Sequence, residues 1–387
     1  MFDHHHLPTE IWLEILRWAT TSDKEINLMT ASYSPFRPAP NDVPDSVMAV
    51  KANVALVCRE WRHLTTGFLY ENLRIHHGVD ALRDALRGQG GNYRLVRRVV
   101  LPYRSTVTTT YQPQPHPSIE ILGHCVNLET LVRPRLLVPE TLQCHFEAAQ
   151  LPLISLKRLD WWYHPEAERS GGINSLSVAL EGTPNLQYLS VGGAVGHRHH
   201  LNGASHLTLS KLRTLRLFGS NGLFLRGLAG LWSLPALTNV IVDFPLAQMG
   251  LSHVWEAFGA QLQRVEFGKH VRFLLDDHVA DCLKGCPNLE ELNFFLFFTM
   301  VPSPSQIRHA SITTIRLHAA VNQLLQDGTA VCDHIENHFK VLMSDTFPSL
   351  RTIVLYGEWR GIISHPHLAP MWQSVRDRGV AIALSER

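Results

Sequence analysis

Leu212-Arg-Thr-Leu215-Arg-Leu217, Leu262-Gln-Arg-Val265-Glu-Phe267 and Leu289-Glu-Glu-Leu292-Asn-Phe294 are three copies of one phrase: apolar, two variable residues, apolar, one variable residue, apolar. Outward from them the phrase recurs as Val96-x-x-Val99-x-Leu101, a truncated Leu128-x-x-Leu131, Leu156-x-x-Leu159-x-Trp161 and Leu186-x-x-Leu189-x-Val191. It returns as Leu237-x-x-Val240-x-Val242, Ile312-x-x-Ile315-x-Leu317 and Leu350-x-x-Ile353-x-Leu355. First positions are spaced 32, 28, 30, 26, 25, 25, 27, 23 and 38 residues apart. Proline stands two residues before the first apolar position in four copies, at Pro184, Pro235, Pro287 and Pro348. Agreement outside the hydrophobic pattern argues against chance.

The central apolar–x–apolar pair has the period of a strand with one face inward. A single phrase cannot bury that face alone, so neighbouring phrases must stack. The spacing lies in or near the leucine-rich-repeat range. The expected fold is α/β: an irregular leucine-rich-repeat solenoid over residues 76–387, with a curved parallel sheet and helices and turns on the convex side. The repeats are degenerate, because the polar residue that usually closes the phrase is mostly missing. Helical returns are expected over 173–180, 277–283 and 331–343, where Val331, Ile335, Phe339 and Leu342 share a face. Residues 371–384 read as a last helix running into an apolar C-terminal cap. The plain alternative is a globular α/β domain with leucine-rich strands.

Residues 7–16, LPTEIWLEIL, read as a helix with Pro8 and Glu10 in its first turn. Ile11 and Ile15 lie one turn apart, with Trp12 and Leu16 in the adjacent stripe. A second helical pattern covers about 48–64, where Val54, Val57, Cys58 and Trp61 fall on one face. Between them, residues 21–47 carry Pro35, Pro38, Pro40 and Pro44 and read as an inserted surface loop.

Leu7-Pro8-x-Glu10-Ile11, followed by Leu56-Val57-Cys58-Arg59-x-Trp61-Arg62, resembles an F-box. Ala31-Ser-Tyr33-Ser-Pro35-Phe36 and Leu69-Tyr70-Glu71-x-Leu73-Arg74-Ile75 are similar to the fungal expansion of that family. The resemblance covers about residues 7–75 and departs from the family in the lengthened gap between its two halves. It implies a three-helix docking module over residues 1–75, bound by a small adaptor and through it by a cullin scaffold. Leu7, Pro8, Ile11, Ile15, Leu56, Val57 and Trp61 would form the adaptor-binding face. It further implies a substrate-receptor subunit of an SCF-type ubiquitin ligase, whose repeats hold a target for ubiquitin-dependent degradation. Ile15, Val57 and Trp61 read equally well as the module's own core. An unrelated interaction scaffold, with the helices capping the solenoid, is the alternative function.

Alternation sends the variable strand residues to the concave wall. Arg158, Trp162, Tyr188, Arg216, Phe218, Arg264, Phe295, Arg316, His318 and Tyr356 are candidate target-binding residues, with Asp160 and Glu266 among them. Arginine and aromatics together suit a protein-binding surface. The bland reading is a solvated face with stray aromatics.

No phosphate-cradling loop, nucleophile elbow, His-Glu-x-x-His or Gly-x-Gly-x-x-Gly is present, so no catalytic residue and no cofactor is expected. Cys282 and Cys286, with His278, have a spacing open to zinc, but Cys286 and Cys125 share a repeat position that explains a small buried residue. The histidines at 4–6 and at 197, 199, 200 and 206 are expected to be solvated. No metal is assigned.

The formal net charge is +1, with 45% hydrophobic and 18% charged residues. Such a balance gives no field for nucleic acid or an anionic membrane. No apolar run reaches spanning length, the first residues make a poor signal peptide, and no Asn-x-Ser/Thr sequon occurs. Six scattered cysteines are too sparse for a disulfide framework. A cytoplasmic or nuclear protein is expected.

Overall fold

The computed structural model describes residues 7–20, 29–38, 46–75, 79–88, 91–101, 117–135, 150–193, 206–245, 248–303, 308–324 and 328–385. The chain forms two compact units, Met1–Ser32 with Arg37–Leu189, and Tyr33–Phe36 with Ser190–Arg387. The helical spacing and the repeats lead one to expect a division at 75/76, with 21–47 kept together. The compact units instead divide at 189/190, and four residues of the insertion pack with the second.

The first unit opens with three mutually packed helices, α1 (Thr9–Thr20), α2 (Ser46–Ala55) and α3 (Arg59–Glu71). The single helix expected over 48–64 is two. Cys58 lies between them in an extended conformation (φ −158°) and caps α3, its Sγ accepting from the Trp61 backbone N–H at 3.4 Å. The periodicity of Val54, Val57 and Trp61 survives across this break, so spacing alone does not reveal it. Ala55 is buried, whereas Leu56 and Val57 at the break are exposed.

Strands then follow in parallel. In the first unit β1 (Asn72–Arg74), β2 (Arg98–Val100), β3 (Thr130–Arg133) and β4 (Arg158–Trp162) pair in chain order. β5 (Tyr188–Gly192) starts beside β4 through the Gln187 and Tyr188 amides, both donating to the Lys157 carbonyl. In the second unit β6 (Thr214–Ser220), β7 (Asn239–Pro245), β8 (Arg264–Phe267), β9 (Glu291–Phe295), β10 (Thr314–Ala319), β11 (Thr352–Gly357) and β12 (Ala381–Leu384) do the same. Residues Leu207–Thr208 and Trp232–Ser233 form a separate short parallel pair.

All ten phrases carry a strand, and within each unit the central positions of the paired strands stand in register. Val99 faces Leu131, and Leu131 faces Leu159. In the second unit the row runs Leu215, Val240, Val265, Leu292, Ile315, Ile353 and Ile382. From Val99 to Ile353 these residues are fully buried, and only Ile382, on the edge strand, is exposed. Each contributes roughly 1.5–3 kcal/mol of burial that one phrase alone cannot realise. Strands β1 and β12 extend the array beyond the phrases. Residues 371–384, read as a cap, contain the end of helix Ala369–Asp377 followed by paired strand β12.

The missing polar residue of the phrase is replaced by another. One position before the first apolar residue, a side chain reaches back to a carbonyl of the preceding repeat. Asn127 donates to Arg94, Ser155 to Val126 and Asn185 to Ile154. In the second unit Gln261 donates to Leu234, Asn288 to Ala260 and Ser311 to Pro287, at 2.7–2.9 Å. This ladder satisfies turn carbonyls that strand pairing leaves open.

The helical returns form as Leu176–Glu181, His278–Gly285 and Gly328–Leu342. Ile335, Phe339 and Leu342 are buried on one face of the last, joined by Cys332, while Val331 lies half-buried beside them. Cys282 and Cys286 are both fully buried, their sulfurs 4.0 Å apart. His4 to His6 and the histidines at 197, 199 and 200 lie outside the described residues. Among the described residues no helix is long and apolar enough to cross a membrane.

Candidate functional site: a bare helical face and an occupied strand face

Helix α1 divides its apolar residues between two faces. Leu16 and Thr20 turn inward, and Trp12 packs on Trp61 of α3 with ring centroids 5.6 Å apart. Ile11, Ile15 and Trp18, spaced four and three apart, turn outward on one stripe, and Leu7 just before the helix is exposed as well. The exposures of Leu7, Ile11, Ile15 and Trp18 are 43%, 46%, 42% and 76%. Leu56, Val57 and Val50 from α2 and the break after it are also exposed, and so is Pro8. Six of the seven residues expected to bind an adaptor are therefore open to solvent. Trp61 is half-buried against Trp12 and belongs as much to the module's own packing. Trp18 and Val50 were not among the expected residues, although the i, i+3, i+4 spacing from Ile11 and Ile15 reaches Trp18.

The variable strand residues are less exposed than expected. In the first unit Arg158 and Tyr188 are buried and unavailable to a partner. The Arg158 guanidinium holds both carboxylate oxygens of Asp160 (2.9 and 3.2 Å), donates to the Thr30 carbonyl (3.0 Å) and lies 4.4 Å from the Tyr188 ring centroid. Arg37, also buried, donates to the carbonyls of Thr30 and Ser32 and lies 5.7 Å over the same ring. The Tyr188 hydroxyl is buried with no hydrogen-bond partner among the described residues. Trp162 is half-buried beneath the Arg135 guanidinium at 5.2 Å.

In the second unit the alternate row runs Arg216, Ile241, Glu266, Asn293, Arg316 and Val354 in register. Arg216 is buried, paired with Asp243 (Nη2 to Oδ1, 2.9 Å). Arg316 donates to Glu291 (2.9 and 3.3 Å) and to the Tyr356 hydroxyl (3.0 Å). Asn293 donates to Glu291 at 2.8 Å, and Arg264 lies 3.8 Å from the same carboxylate. These charges are paired in place.

Onto this row fits Tyr33–Phe36. Glu266 Oε2 accepts from the Tyr33 hydroxyl (2.8 Å) and from the Phe36 backbone N–H (3.0 Å). Asn293 Nδ2 donates to the Tyr33 oxygen. The Phe36 ring sits in a cage of Phe295, His318 and Tyr356, centroids 5.0, 5.2 and 5.0 Å away, all approached edge to face. Such aromatic pairs add about 0.5–1.5 kcal/mol each beyond their burial. Phe295 and His318 stack at 4.6 Å. Gly357, at φ +85°, lets the chain pass close to His318, where a Cβ would stand 2.8 Å from Cε1. Phe36 is the one non-glycine residue with positive φ among those described (54°). That conformation costs roughly 1–3 kcal/mol and persists only where surroundings enforce it.

The electrostatics follow from burial. Loss of solvent pushes the Glu266 carboxyl up to about 7, against the opposing pull of the Phe36 N–H, Arg216 and the Tyr33 hydroxyl. Burial first, then Glu266 and Glu291, hold the Tyr33 phenol well above its ordinary value, so it stays a neutral donor. Burial, with Lys269 nearby, lowers His318 to about 4. Its ring acts in the cage as a neutral aromatic.

The structure thus gathers Phe295, Arg316, His318 and Tyr356 into one site. Phe218 and Arg264 are half-buried on the same unit, Phe218 stacked on Phe244 at 6.3 Å. Asn293 and Glu291, absent from the expected set, follow from the same alternation. Tyr33 and Phe36 carried no local signal for this position. Among the described residues no group of three His, Cys, Asp or Glu could hold a metal.

No family model matches the chain. No curated protein matches it. A Bacteroides fragilis protein solved by a structural genomics consortium is similar at 11% identity and a TM-score of 0.37, over 81% of this chain and 74% of that one.

Proposed function

We propose that this chain is a substrate-receptor subunit of a cullin-based ubiquitin ligase, docking a small adaptor through α1–α3 and a target protein through its strand face. The observation that carries the reading is the bare stripe of Ile11, Ile15 and Trp18, joined by Leu7, Leu56 and Val57. A small helical module that leaves so many apolar residues outside is built for an interface core. The F-box resemblance of the same residues names the partner. The mechanism is proximity: one surface docks the ligase and the other holds a target, raising the effective concentration of target lysines. The chain itself makes and breaks no bond. Purified adaptor is expected to bind the intact chain, and Ile11→Ser with Leu56→Ser to weaken it at least tenfold. Unchanged binding by that variant sinks the assignment. Trp61 is a poor probe, because its loss also removes the packing on Trp12.

A second reading has its own observation. Helix α3 runs directly into β1, which pairs with β2, and the Arg97 N–H donates to the Glu71 carbonyl at 2.9 Å. This continuity suits an interaction scaffold in which the helices cap the repeats. It predicts no adaptor binding by the intact chain.

A further inference from the structure

We infer that the strand face around Glu266, Asn293, Phe295, His318 and Tyr356 is a site for a turn-forming peptide carrying tyrosine and, three residues later, an aromatic residue. Its present occupant, Tyr33–Phe36, is then an intramolecular competitor for a target segment of the same chemistry. This rests on the reading of the strand face as the target-holding surface and says what that surface selects.

Three anchors within four residues define the selection. A hydroxyl is read by Glu266 and Asn293, a backbone N–H by Glu266, and a ring by the cage of Phe295, His318 and Tyr356. A phenylalanine in place of the tyrosine would leave the buried Glu266 carboxylate and the Asn293 amide without their hydroxyl, a loss that discriminates strongly. The anchors read only what any peptide of that pattern presents, so attachment to this chain is not required for recognition. All of them lie more than 220 residues beyond the occupant in sequence.

The occupant also has the marks of a segment that can leave. Tyr33 and Phe36 remain half-buried while seated, unlike the fully buried phrase residues below them. Phe36 is held in a left-handed conformation that its own ring does not favour. Pro35 and Pro38 flank it and limit the conformations a released segment explores, which lowers the cost of reseating. A tethered occupant competes intramolecularly, so a free segment with the same contacts meets a site that is already filled. If the seat is open only a tenth of the time or less, apparent affinity for a free segment falls tenfold or more.

The test uses a fluorescein-labelled synthetic peptide with the sequence of residues 29–38, titrated by polarisation against two full-length chains. One is the intact chain and the other carries Tyr33→Ala with Phe36→Ala, which empties the seat at unchanged length. The peptide is expected to saturate the emptied chain at least tenfold more tightly than the intact one. Adding Asn293→Ala to the emptied chain should abolish that binding. Equal binding to both chains, or none to an emptied chain that keeps its circular dichroism and a cooperative melting transition above the assay temperature, overturns the proposal. Should the emptied chain not fold, hydrogen exchange at the Phe36 amide of the intact chain decides. Exchange well before global unfolding supports a competitor, and exchange only with global unfolding marks a permanent strut. Adaptor binding is scored separately: peptide binding without adaptor binding leaves this site standing and removes the ligase reading, and the reverse removes this inference alone.

Discussion

The helical face of the first unit and the strand face of the second are both candidate interaction surfaces, yet the chain treats them oppositely. The helical face leaves leucine, isoleucine and tryptophan bare. The strand face pairs its charges internally and draws a tetrapeptide of the same chain over the buried Glu266 carboxylate. Among the described residues of the unit nothing covers this apolar area, and such a patch suits a partner. A polar row left uncovered is hydrated, and a segment that covers it must replace that water with hydrogen bonds of its own. The apolar stripe gains from any cover that fits it, whereas the polar row accepts only a segment that satisfies its carboxylate and amide, as Tyr33 and Phe36 do.

The largest effect expected on stability lies beneath the strand face. Phe294 is fully buried and packs on His338 at 5.8 Å. Phe294→Ala should cost about 3–5 kcal/mol by denaturant unfolding. A loss below 1 kcal/mol would show that the phrase residues are not a continuous core, and the contrast between face and core would collapse.

Next comes Glu266→Gln, and its effect depends on pH. The folded carboxyl titrates near 7 against an ordinary 4.5, so the folded chain holds a proton that the unfolded chain releases in that window. Stability from this group is therefore present below about 4.5 and is lost as pH rises through 7. Glutamine has no proton to lose. The variant should match the intact chain near pH 4 and exceed it by on the order of 3 kcal/mol at pH 8. His338, lowered to about 3 by burial and next by His334, acts with the opposite sign, losing stability as pH falls below its ordinary 6.5. The difference between two unfolding curves cancels it and isolates Glu266. A flat difference from pH 4 to 8 would mean that solvent reaches the carboxyl and that Tyr33–Phe36 does not cover it.

These two predictions divide along what the sequence made legible. Phe294 belongs to a phrase whose period alone gave strand, register and inward face, because each repeat enforces the same burial. The polar ladder of Asn127, Asn185 and Asn288 was visible in the same phase but stood one residue outside the pattern. The break at Leu56–Val57 was hidden, since Cys58 caps a new helix without disturbing helical spacing. On the bare helical face, expected residues and exposed residues largely coincide, because amphipathic spacing reports which stripe is left over. The seat of Tyr33 and Phe36 was illegible for a different reason. Its hydrogen-bond partners lie 230 to 260 positions away, and local periodicity carries no information about such contacts. Prolines around the segment marked it as irregular, which is true of its backbone and silent about where it packs.

Phe36→Ala sits lower on the scale. The ring is half-buried in its cage, so its removal should cost about 1–2 kcal/mol, less than a full core cavity. Phe36→Leu should recover the area but not the edge-to-face geometry, and fall between. If both variants melt with the intact chain, the cage contributes nothing and the segment rests on Tyr33 alone.

The smallest effect belongs to the helical face. Ile11→Ser with Leu56→Ser replaces two side chains that are 46% and 71% exposed and leaves Leu16, Ala55 and the Trp12–Trp61 pair untouched. The fold should change by no more than about 0.5 kcal/mol, since exposed substitutions away from caps and cores rarely do more. That near-silence separates a surface kept for a partner from one that the chain needs for itself. A loss above 2 kcal/mol in the isolated chain would place these residues in intramolecular packing. The helices would then belong to the repeat array as its cap, and the bare face would no longer stand opposite the occupied one.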